Sequence, residues 1–505
     1  MLPAPRITRN LADLLAGFID HGVPEATVRD VVIDSRAAVP GALFLACAGE
    51  AGHGLEHAEH ALAAGACAIV YDPAGVHTPP GFDVPMMALG DLSARAGEIA
   101  ARFYGRPSES LFVAGVTGTD GKTSCAWLIA QAMRHVDQAC GYLGTLGFGD
   151  PSDLALATHT TPDATRIQHW LARMVAADYT AAALEVSSHA LAQKRADAVA
   201  FDVAVLTQIG RDHLDYHGDD AAYVAAKRRL FDQAGVRHVV LNADDAHGRD
   251  WLVEFGGRPG PAPLAYGRHE SVPDHAHFVH VTAVEAHPDG LRVHVHTHVG
   301  EADLVTGLVG LFHAANLAAC LGVLLVRGIA LEAAVAALSQ VATVPGRMER
   351  IAGPRVEAPL VIVDYAHTAG ALEAALEGVR AHARGRVHCV FGCGGDRDRG
   401  KRALMGTVAA RLADYLWLTD DNPRGEAPEA IVAEITAGLP ADWQAPSHYR
   451  IEHKRRRAIA AAIAAAGPGD VVLIAGKGHE TTQQYGPHIY EFDDRVVAGR
   501  ALEGA

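Results

Sequence analysis

The chain has 505 residues, of which 49% are hydrophobic, so it can bury several cores, and its length suggests about three domains. Its 43 basic and 59 acidic residues give a formal net charge of -16, which argues against nonspecific binding to nucleic acid or to an anionic membrane. The 7 cysteines show neither paired zinc spacing nor a disulfide framework, and the apolar runs are too short to span a bilayer, so we expect a cytoplasmic protein.

The first block alternates short apolar runs with alanine-rich helical stretches. Examples of the runs are residues 42–46 and 66–71. The block ends near Tyr104-Gly105-Arg106-Pro107, where we place a domain boundary. Residues 1–107 therefore form the first predicted domain.

A glycine-rich turn follows the predicted strand at residues 111–116 and precedes a predicted helix beginning at Ser124. The turn reads Gly118-Thr119-Asp120-Gly121-Lys122-Thr123. Glycines let the main chain wrap phosphate oxygens, while Lys122 can reach the outer phosphates and Thr123 can bind magnesium. The spacing is not the strict Walker form, so a plain strand-to-helix turn is the alternative. The lysine and hydroxyl together favour a nucleotide-using enzyme.

Further predicted strands alternate with helices along the rest of the chain. In the middle block, residues 108–342, they are at 179–186, 203–207 and 238–242, followed by alternating strands between 277 and 309 and a helix at 314–327. In the last block, residues 343–505, they are at 360–363, 387–391 and 471–474. The pattern predicts an α/β protein of three domains, with a central P-loop-type, mainly parallel sheet and a C-terminal doubly wound, Rossmann-like domain. The alternating segment predicts antiparallel strands at a sheet edge, with its histidines at the surface.

Several other clusters accompany the phosphate loop in a fixed order. They are Asp34-Ser35-Arg36, Thr160-Thr161-Pro162, Glu185-Val186-Ser187-Ser188-His189, Arg211-Asp212-His213-Leu214-Asp215-Tyr216-His217-Gly218, Asn242-Ala243-Asp244-Asp245, Pro345-Gly346-Arg347-Met348-Glu349, Asp364-Tyr365-Ala366-His367-Thr368, Gly392-Cys393-Gly394-Gly395-Asp396-Arg397-Asp398, Asp421-Asn422-Pro423-Arg424 and Gly476-Lys477-Gly478-His479-Glu480. The series resembles the Mur ligase family, ATP-dependent amide-forming enzymes of peptidoglycan precursor synthesis, and within it the diaminopimelate-adding (MurE) type. The resemblance covers nearly the whole chain.

Three positions depart from the family pattern. Asp120 and His313 stand where Asn is usual, and Thr368-Ala369-Gly370 replaces Thr-Pro-Asp. None removes a group with an obvious chemical duty. A carboxylate at Asp120 adds repulsion beside a triphosphate, so we expect an effect on nucleotide affinity rather than on the reaction.

The resemblance implies an ATP-dependent ligase that adds meso-2,6-diaminopimelate to UDP-N-acetylmuramoyl-L-alanyl-D-glutamate through an acyl phosphate, releasing ADP and phosphate. The alternatives are a lysine-adding or folylpolyglutamate synthase-like ligase of the same superfamily, and a nucleotide-binding scaffold that has lost catalysis. The resemblance also implies ATP and Mg²⁺, and we expect a monomer that binds neither nucleic acid nor membrane.

The resemblance implies catalytic roles for Lys122, Lys227 and His213, and magnesium ligation by Thr123, Glu185, His213 and carbamylated Lys227. From the residues alone, the basic cluster around Lys227 predicts a solvated helix face, and Glu185 could be an ordinary strand end. Carbamylation would convert the Lys227 ammonium into an anionic oxygen donor.

The ligand contacts implied by the resemblance fall into three sets. For ATP they are Gly118, Thr119, Asp120, Gly121, Lys122, Thr123, Ser124, Asn316, Arg347 and Asp364. For the UDP-muramoyl dipeptide they are Ile33, Ser35, Thr160, Thr161, Ser187, Gln193 and Arg195. For diaminopimelate they are Arg397, Asp421, Asn422, Pro423, Arg424, Gly476 and Glu480.

Each of these residues also has a plainer interpretation. Ser187 could satisfy strand-end backbone groups, Arg195 could form a surface pair, Arg347 could lie in an ordinary interdomain turn, and Arg424 could be a water-exposed loop residue. Diaminopimelate carries a carboxylate that lysine lacks, so its enzyme needs a planar cation such as Arg424 at that point. A hinge near Arg347 would let closure of the last domain exclude water from the acyl phosphate.

Overall fold

A computed structural model describes residues 2–3, 7–49, 52–157, 159–353 and 358–504. The chain forms two compact units. The first comprises Met1–His280, Thr297–Gly300 and Ala318–Ala337, and the second Val281–His296, Glu301–Leu317 and Leu338–Ala505. Among the described residues, no helix is both long and apolar enough to cross a membrane.

The strands of the first unit are β1 (Arg9–Asn10), β2 (Thr27–Val28), β3 (Asp30–Val32), β4 (Ala42–Ala46), β5 (Ala68–Tyr71), β6 (Met86–Ala88), β7 (Phe112–Thr117), β8 (Cys140–Gly144), β9 (Gly147–Asp150), β10 (Asp153–Ala155), β11 (Ala181–Glu185), β12 (Val203–Leu206), β13 (His238–Asn242) and β14 (Ala262–Gly267). β15 (Phe278–His287) begins in this unit and continues in the second.

The helices of the first unit are α1 (Leu11–Leu15), α2 (Ala58–Ala63), α3 (Leu92–Tyr104), α4 (Lys122–His135), α5 (Ala164–Ala176), α6 (Ser188–Ala192), α7 (Leu214–His217), α8 (Asp220–Arg228) and α9 (Ala246–Gly256). α10 (His313–Val326) begins in the second unit and ends in the first, and most of α11 (Leu331–Leu338) lies in the first.

Two parallel sheets organise the first unit. The smaller has the order β3-β4-β5-β6, with β4 buried along its length by α1, α2 and α3. In the larger, the order β8-β11-β7-β12-β13-β14 is parallel throughout, and β9 and β10 add an antiparallel edge. β7 is therefore an interior strand, which explains its continuous run of buried residues and places the turn after it at the carboxyl edge of the sheet.

The second unit contains the strands β16 (Gly290–Thr297), β17 (Gly300–Thr306), β18 (Glu349–Ile351), β19 (Leu360–Asp364), β20 (Val387–Phe391), β21 (Tyr415–Leu418), β22 (Tyr449–Ile451), β23 (Val471–Ala475), β24 (Thr482–Tyr485) and β25 (His488–Glu491). Its further helices are α12 (Ala369–Arg380), α13 (Gly400–Leu412), α14 (Pro428–Thr436), α15 (Arg455–Ala465) and α16 (Asp494–Gly504). Thr297 and Gly300 themselves are counted in the first unit.

A six-stranded sheet in the order β18-β19-β23-β20-β21-β22 forms the centre of the second unit. Its strands are parallel except β18, which pairs antiparallel with β19. One face packs against α12, α13 and α14, and the other against α15 and α16. This is the predicted doubly wound arrangement, and the predicted α/β fold class is confirmed.

Candidate functional site

The phosphate loop connects β7 to α4. Gly118 and Gly121 have φ of +149° and +82°, a range that favours glycine. A Cβ atom at Gly118 would stand 1.8 Å from the Thr207 hydroxyl oxygen. The loop therefore follows a path that a larger residue at position 118 would block, and α4 begins at Lys122, two residues before the predicted start.

Lys122 lies with its ammonium over the loop that precedes it. Its Nζ donates hydrogen bonds to the carbonyl oxygens of Gly118 and Thr119, at 3.0 Å and 2.7 Å. Burial lowers the pKa of Lys122, while the nearby carboxylates of Glu185 and Asp120 act in the opposite direction. Thr123 and Ser124 follow in the first turn of α4.

The segment after β12 forms hydrogen bonds with the phosphate loop. Gln208 donates its side-chain amide to the Asp120 carboxylate at 2.8 Å, and the Thr207 hydroxyl donates to the Asp120 carbonyl at 2.6 Å. The Thr119 hydroxyl lies 2.9 Å from that of Tyr223 and accepts from the amide of Gly210 at 2.8 Å. The Asp120 carboxylate is exposed and has a neutral amide partner.

Glu185 ends β11, next to β7 in the sheet, and is 1% exposed. Its carboxylate accepts hydrogen bonds from the Thr123 hydroxyl and the Thr145 amide, each at 2.8 Å, and also from the hydroxyl of Tyr142. A buried carboxylate beside a hydroxyl is a set of hard oxygen donors that suits Mg²⁺. The oxygens of Thr123 and Glu185 therefore fit the ion implied by the resemblance.

Lys227 lies in α8 and is 1% exposed, so the solvated helix face predicted from its basic neighbours was wrong. The Nζ atom donates to the Gly118 carbonyl at 2.5 Å and lies 4.5 Å from the ring centroid of Tyr223. Burial, followed by repulsion from Lys122, lowers the pKa of Lys227 from 10.5 to about 7. The next residue, Arg228, is partly exposed, and its guanidinium pairs with Glu254.

His213 stands at the N-terminus of α7 with φ of +52°. Its ring lies 4.7 Å from that of His189, and its Nε2 is 3.3 Å from the Asp212 carboxylate. His213, Lys122 and Lys227 border the same cavity. The structure therefore brings all the predicted catalytic residues to one place.

This cavity has a volume of about 280 Å³. Its lining residues are Lys122, His159, Thr160, Thr161, Ser187, Ser188, His189, Arg195, His213, Tyr223 and Lys227. Four of the residues predicted to bind the muramoyl peptide are therefore present. The cavity offers hydroxyl donors and cationic side chains together, as an anionic substrate requires.

The peptide-side residues are also bonded to one another. Arg195 donates to the Thr161 carbonyl at 2.9 Å and to the Gln193 side chain, and Gln193 donates to the Tyr216 hydroxyl at 3.1 Å. Thr161 is buried and donates to the Glu185 carbonyl at 2.8 Å. Ser187 caps α6 by accepting from the Ala190 amide, as its plainer interpretation predicts, and it borders the cavity as well.

The two residues predicted near the uridine lie at the carboxyl end of β3. Ile33 is half-buried against the core of the smaller sheet. Ser35 is buried in a short turn capped by the Asp34 carboxylate, which also pairs with Arg36. This position resembles that of the phosphate loop, since both follow parallel strands at their carboxyl ends.

In the second unit, the residues predicted to bind diaminopimelate follow β20, β21 and β23. Arg424 is half-buried rather than fully exposed, has φ of +50°, and donates to the Gly395 carbonyl at 2.8 Å. Asn422 donates to the Glu480 carboxylate at 3.1 Å. Arg397 is exposed and lies two residues beyond Gly395. The structure therefore brings the turns that carry both arginines together.

Close backbone approach shapes this cluster. A Cβ atom at Gly395 would stand 1.8 Å from the Pro423 carbonyl oxygen, and one at Gly476 would stand 2.6 Å from the Asp421 carboxylate. Asp421 is buried, and burial raises the pKa of its carboxyl, with Arg455 and Lys477 opposing the shift. Contact with backbone therefore requires glycine at position 395, and Gly476 has φ of +120°, a conformation that favours glycine.

Lys477 is a residue that the sequence analysis did not single out. It is fully buried, and its Nζ lies 3.0 Å from the Glu480 carboxylate and 3.3 Å from the Asn422 side-chain oxygen. Glu480, predicted to contact diaminopimelate, thus already pairs with an ammonium of the protein. The sequence feature that could have identified Lys477 is its position between Gly476 and Gly478.

The remaining predicted ATP contacts also lie in the second unit. Asp364 ends β19 and accepts from the amides of Met348 and Ala366, at 2.7 Å and 2.8 Å, while burial raises its pKa. Arg347 is exposed with its guanidinium 5.4 Å from the Tyr365 ring centroid. Asn316 is buried near the start of α10.

Models of the Mur ligase family match three segments of this chain. The catalytic-domain model matches residues 27–104, the middle-domain model 116–324, and the glutamate ligase domain model 346–478. Together these matches span most of the sequence.

Individual relatives match nearly the whole chain. The chain is 48% identical over 509 residues to the UDP-N-acetylmuramoyl-L-alanyl-D-glutamate--2,6-diaminopimelate ligase of Alkalilimnicola ehrlichii, covering 98% of this chain and 99% of the relative. It is 44% identical over 485 residues to the same-named protein of Ectopseudomonas mendocina, covering 94% and 95%. A solved structure of a ligase with that name is 33% identical, with a TM-score of 0.76 over 98% of this chain and 99% of the other.

Proposed function

Because this chain belongs to the Mur ligase family, we propose that it is the ATP-dependent ligase that joins meso-2,6-diaminopimelate to UDP-N-acetylmuramoyl-L-alanyl-D-glutamate in peptidoglycan precursor synthesis. The observation that carries the proposal is the cavity beside the phosphate loop. Lys122 and Arg195 border it together with the hydroxyls of Thr160, Thr161 and Ser187. An otherwise acidic protein thus presents local cations where two anions must meet.

The first chemical step joins the terminal carboxylate of the dipeptide to phosphate. A carboxylate oxygen attacks the γ-phosphorus of ATP, the bond from that phosphorus to the ADP oxygen breaks, and an acyl phosphate and ADP result. Repulsion between two such charges is about 4 kcal/mol at 4 Å in a medium of effective dielectric about 20. Lys122 and Arg195 offset this repulsion, which is why their neighbouring positions support the assignment.

The second step forms the amide. The amine of diaminopimelate attacks the acyl carbon, the bond from that carbon to the phosphate oxygen breaks, phosphate leaves, and the nitrogen loses a proton. Water competes with the amine for the acyl phosphate, so the reaction needs a site that excludes water.

Magnesium would be held by Thr123, Glu185, His213 and carbamylated Lys227. When bound, the ion supplies positive charge that neutralises the phosphates. Carbamylation of Lys227 forms a bond between its neutral nitrogen and the carbon of CO₂, with loss of a proton. A pKa of about 7 supports this role, because a large fraction of the amine is then neutral at physiological pH.

Arg397 and Arg424 would recognise the distal carboxylate of the amino acid. The other residues proposed to contact it are Asp421, Asn422, Pro423, Gly476 and Glu480. A Cβ atom at Gly394 would stand 2.9 Å from Nη1 of Arg424, so the guanidinium lies against the glycine turn. A half-buried guanidinium left without its carboxylate loses several kcal/mol, which would favour diaminopimelate over lysine by up to about 10⁴-fold. The half-buried Arg424 therefore supports the proposed reaction over lysine addition.

The remaining assignments complete the proposal. Asn316, Arg347 and Asp364 would contact the nucleotide, and Ile33 and Ser35 the uridine end of the acceptor. The domains would be residues 1–107 for the UDP substrate, 108–342 for ATP and 343–505 for the amino acid. We further propose that the protein is a cytoplasmic monomer that uses neither nucleic acid nor membrane.

Phosphate release from ATP tests the proposed reaction. We expect release only when UDP-N-acetylmuramoyl-L-alanyl-D-glutamate and diaminopimelate are both present, because the acyl phosphate needs the first and its turnover needs the second. Release with either compound omitted measures the background. Absence of release with all three substrates would favour the inactive scaffold and overturn the proposal.

A further inference from the structure

Arg402 is a fully buried arginine near the start of α13, outside every predicted site set. Its Nη1 donates to the carboxylates of Glu426 and Glu434, at 2.9 Å each. Its Nη2 donates to the other oxygen of Glu426 at 2.8 Å and to the Gly394 carbonyl at 3.1 Å. One guanidinium thus joins the glycine turn after β20, the turn after β21 and helix α14.

The two turns that Arg402 joins are those that carry Arg397 and Arg424. Glu426, held by Arg402 on both oxygens, also accepts from the Asp396 amide at 2.6 Å. Asp396 in turn accepts from the Gly425 amide at 2.9 Å. The neighbour of Arg397 therefore bonds directly to the neighbour of Arg424, and its amide donates to the Glu426 carboxylate that Arg402 holds.

The turn after β20 and the turn after β21 are joined by direct hydrogen bonds. The Gly395 amide donates to the Asn422 carbonyl at 2.9 Å, and the Gly395 carbonyl accepts from Arg424 at 2.8 Å. Donation from Arg402 to Glu426 holds the pKa of that carboxyl well below its usual range, so the pair stays ionised. A shift of either turn would change the separation of the two predicted carboxylate-binding arginines.

We propose that Arg402 is a positioning residue that sets the relative placement of Arg397 and Arg424, and thereby the preference for an amine substrate with a distal carboxylate. The inference rests on the proposed function. Lysine cannot replace Arg402, because a single ammonium cannot donate in one plane to both oxygens of Glu426 and to the Gly394 carbonyl. A misplacement of about 1 Å can cost about 100-fold in catalysis.

The matched control is Arg399, which lies in the turn before α13 and pairs with the same Glu434 but is 65% exposed. The variants Arg402→Lys and Arg399→Lys each keep the positive charge. For each we would measure KM for diaminopimelate, ATP and the UDP substrate, the ratio of kcat/KM for diaminopimelate over lysine, and the melting temperature.

In Arg402→Lys we expect KM for diaminopimelate to rise at least about 10-fold and the selectivity ratio to fall at least about 10-fold, with the other KM values within about 2-fold. Arg399→Lys should match the wild type. A uniform rise of all KM values with a lowered melting temperature, or an unchanged selectivity ratio, would overturn the inference. If Arg402→Lys does not fold, Glu426→Gln gives the same test, with a smaller expected shift.

Hydrogen exchange separates this inference from the proposed function. In the unliganded protein, the amides of Asp396 and Gly425 should exchange at least about 10-fold faster in Arg402→Lys than in the wild type or in Arg399→Lys. The Asp396 amide loses the orientation of its Glu426 acceptor, and the Gly425 amide bonds to the same Asp396. A wild type with no diaminopimelate-dependent turnover would refute the proposed function and leave this link standing. Unchanged exchange at both amides would refute the link itself.

Discussion

Burial gives Lys227 a chemistry that an exposed lysine lacks. Its amine lies against a carbonyl and an aromatic ring, beside a second amine, and its pKa falls to about 7. We predict that Lys227→Ala lowers kcat at least about 100-fold, because it removes an oxygen donor proposed to hold magnesium. Short carboxylates added to the assay should restore part of the activity.

The control for this variant is Lys454→Ala, which removes an exposed lysine of the second unit. It should turn over like the wild type. Normal turnover of Lys227→Ala would show that the buried amine has no part in catalysis.

His313 provides a test of pH dependence. It is 2% exposed, its Nδ1 has no hydrogen-bond partner among the residues that the structure describes, and burial lowers its pKa from 6.5 to about 4. Below pH 6.5 the unfolded chain takes up a proton that the folded protein refuses, so this contribution to stability is present above pH 6.5 and is lost towards pH 4. Between pH 7 and pH 5 the loss is about 2 kcal/mol.

We predict that His313→Asn removes this part of the pH dependence, measured as the free energy of unfolding in urea at the two pH values. The control is His77→Asn, at an exposed histidine. An equal loss of stability between pH 7 and pH 5 in wild type and His313→Asn would contradict the assignment.

Residues whose role depends on their surroundings were the hardest to predict. Glu185, Lys122 and Arg424 stand in recognisable motifs, so the sequence indicated them. The burial of Lys227 depends on the packing of α8 under the phosphate loop, and no local pattern distinguishes it from its partly exposed neighbour Arg228. Tyr142 and Lys477 were missed because a strand tyrosine and a loop lysine are common where nothing binds.

At the scale of the element, the strands were predicted to within about two residues because parallel strands buried on both faces are continuous apolar runs. β13 and β20 coincide with the predicted ranges, whereas β11 is shorter than 179–186 at both ends. Pairing order was not predictable, since β11 neighbours β7 and β8 only after two crossovers. That order places Glu185 beside the phosphate loop.

The phosphate loop allows a matched glycine test. Gly118 and Gly260 share φ of +149°, but a Cβ atom at Gly260 would meet no described residue within 4 Å, while one at Gly118 would collide with Thr207. We predict that Gly118→Ala lowers ATP-dependent turnover at least about 100-fold, whereas Gly260→Ala costs about 1 kcal/mol of stability and leaves turnover intact.

The measurements are turnover and melting temperature for the two variants. If both substitutions lower turnover equally, backbone strain alone explains the effect, and the close packing of the loop against Thr207 does not contribute to turnover.

At the scale of the whole molecule, the chain is strongly acidic, yet its predicted ligands are anions. The cations are grouped locally. Lys122, Arg195 and Lys227 border one cavity of the first unit. In the second unit, Arg424 and the buried Arg402 both donate to the glycine turn after β20. The net charge of -16 thus argues against nonspecific anion binding, while the local cations support binding of particular ones.

Competition between diaminopimelate and lysine for one acceptor distinguishes the proposed reaction from the lysine-adding alternative. With ATP and UDP-N-acetylmuramoyl-L-alanyl-D-glutamate saturating, the product mass and the kcat/KM for each amine would be measured. Recognition of a distal carboxylate by Arg397 and Arg424 predicts the diaminopimelate adduct, with kcat/KM favoured by up to about 10⁴-fold. Comparable kcat/KM values for lysine would contradict it.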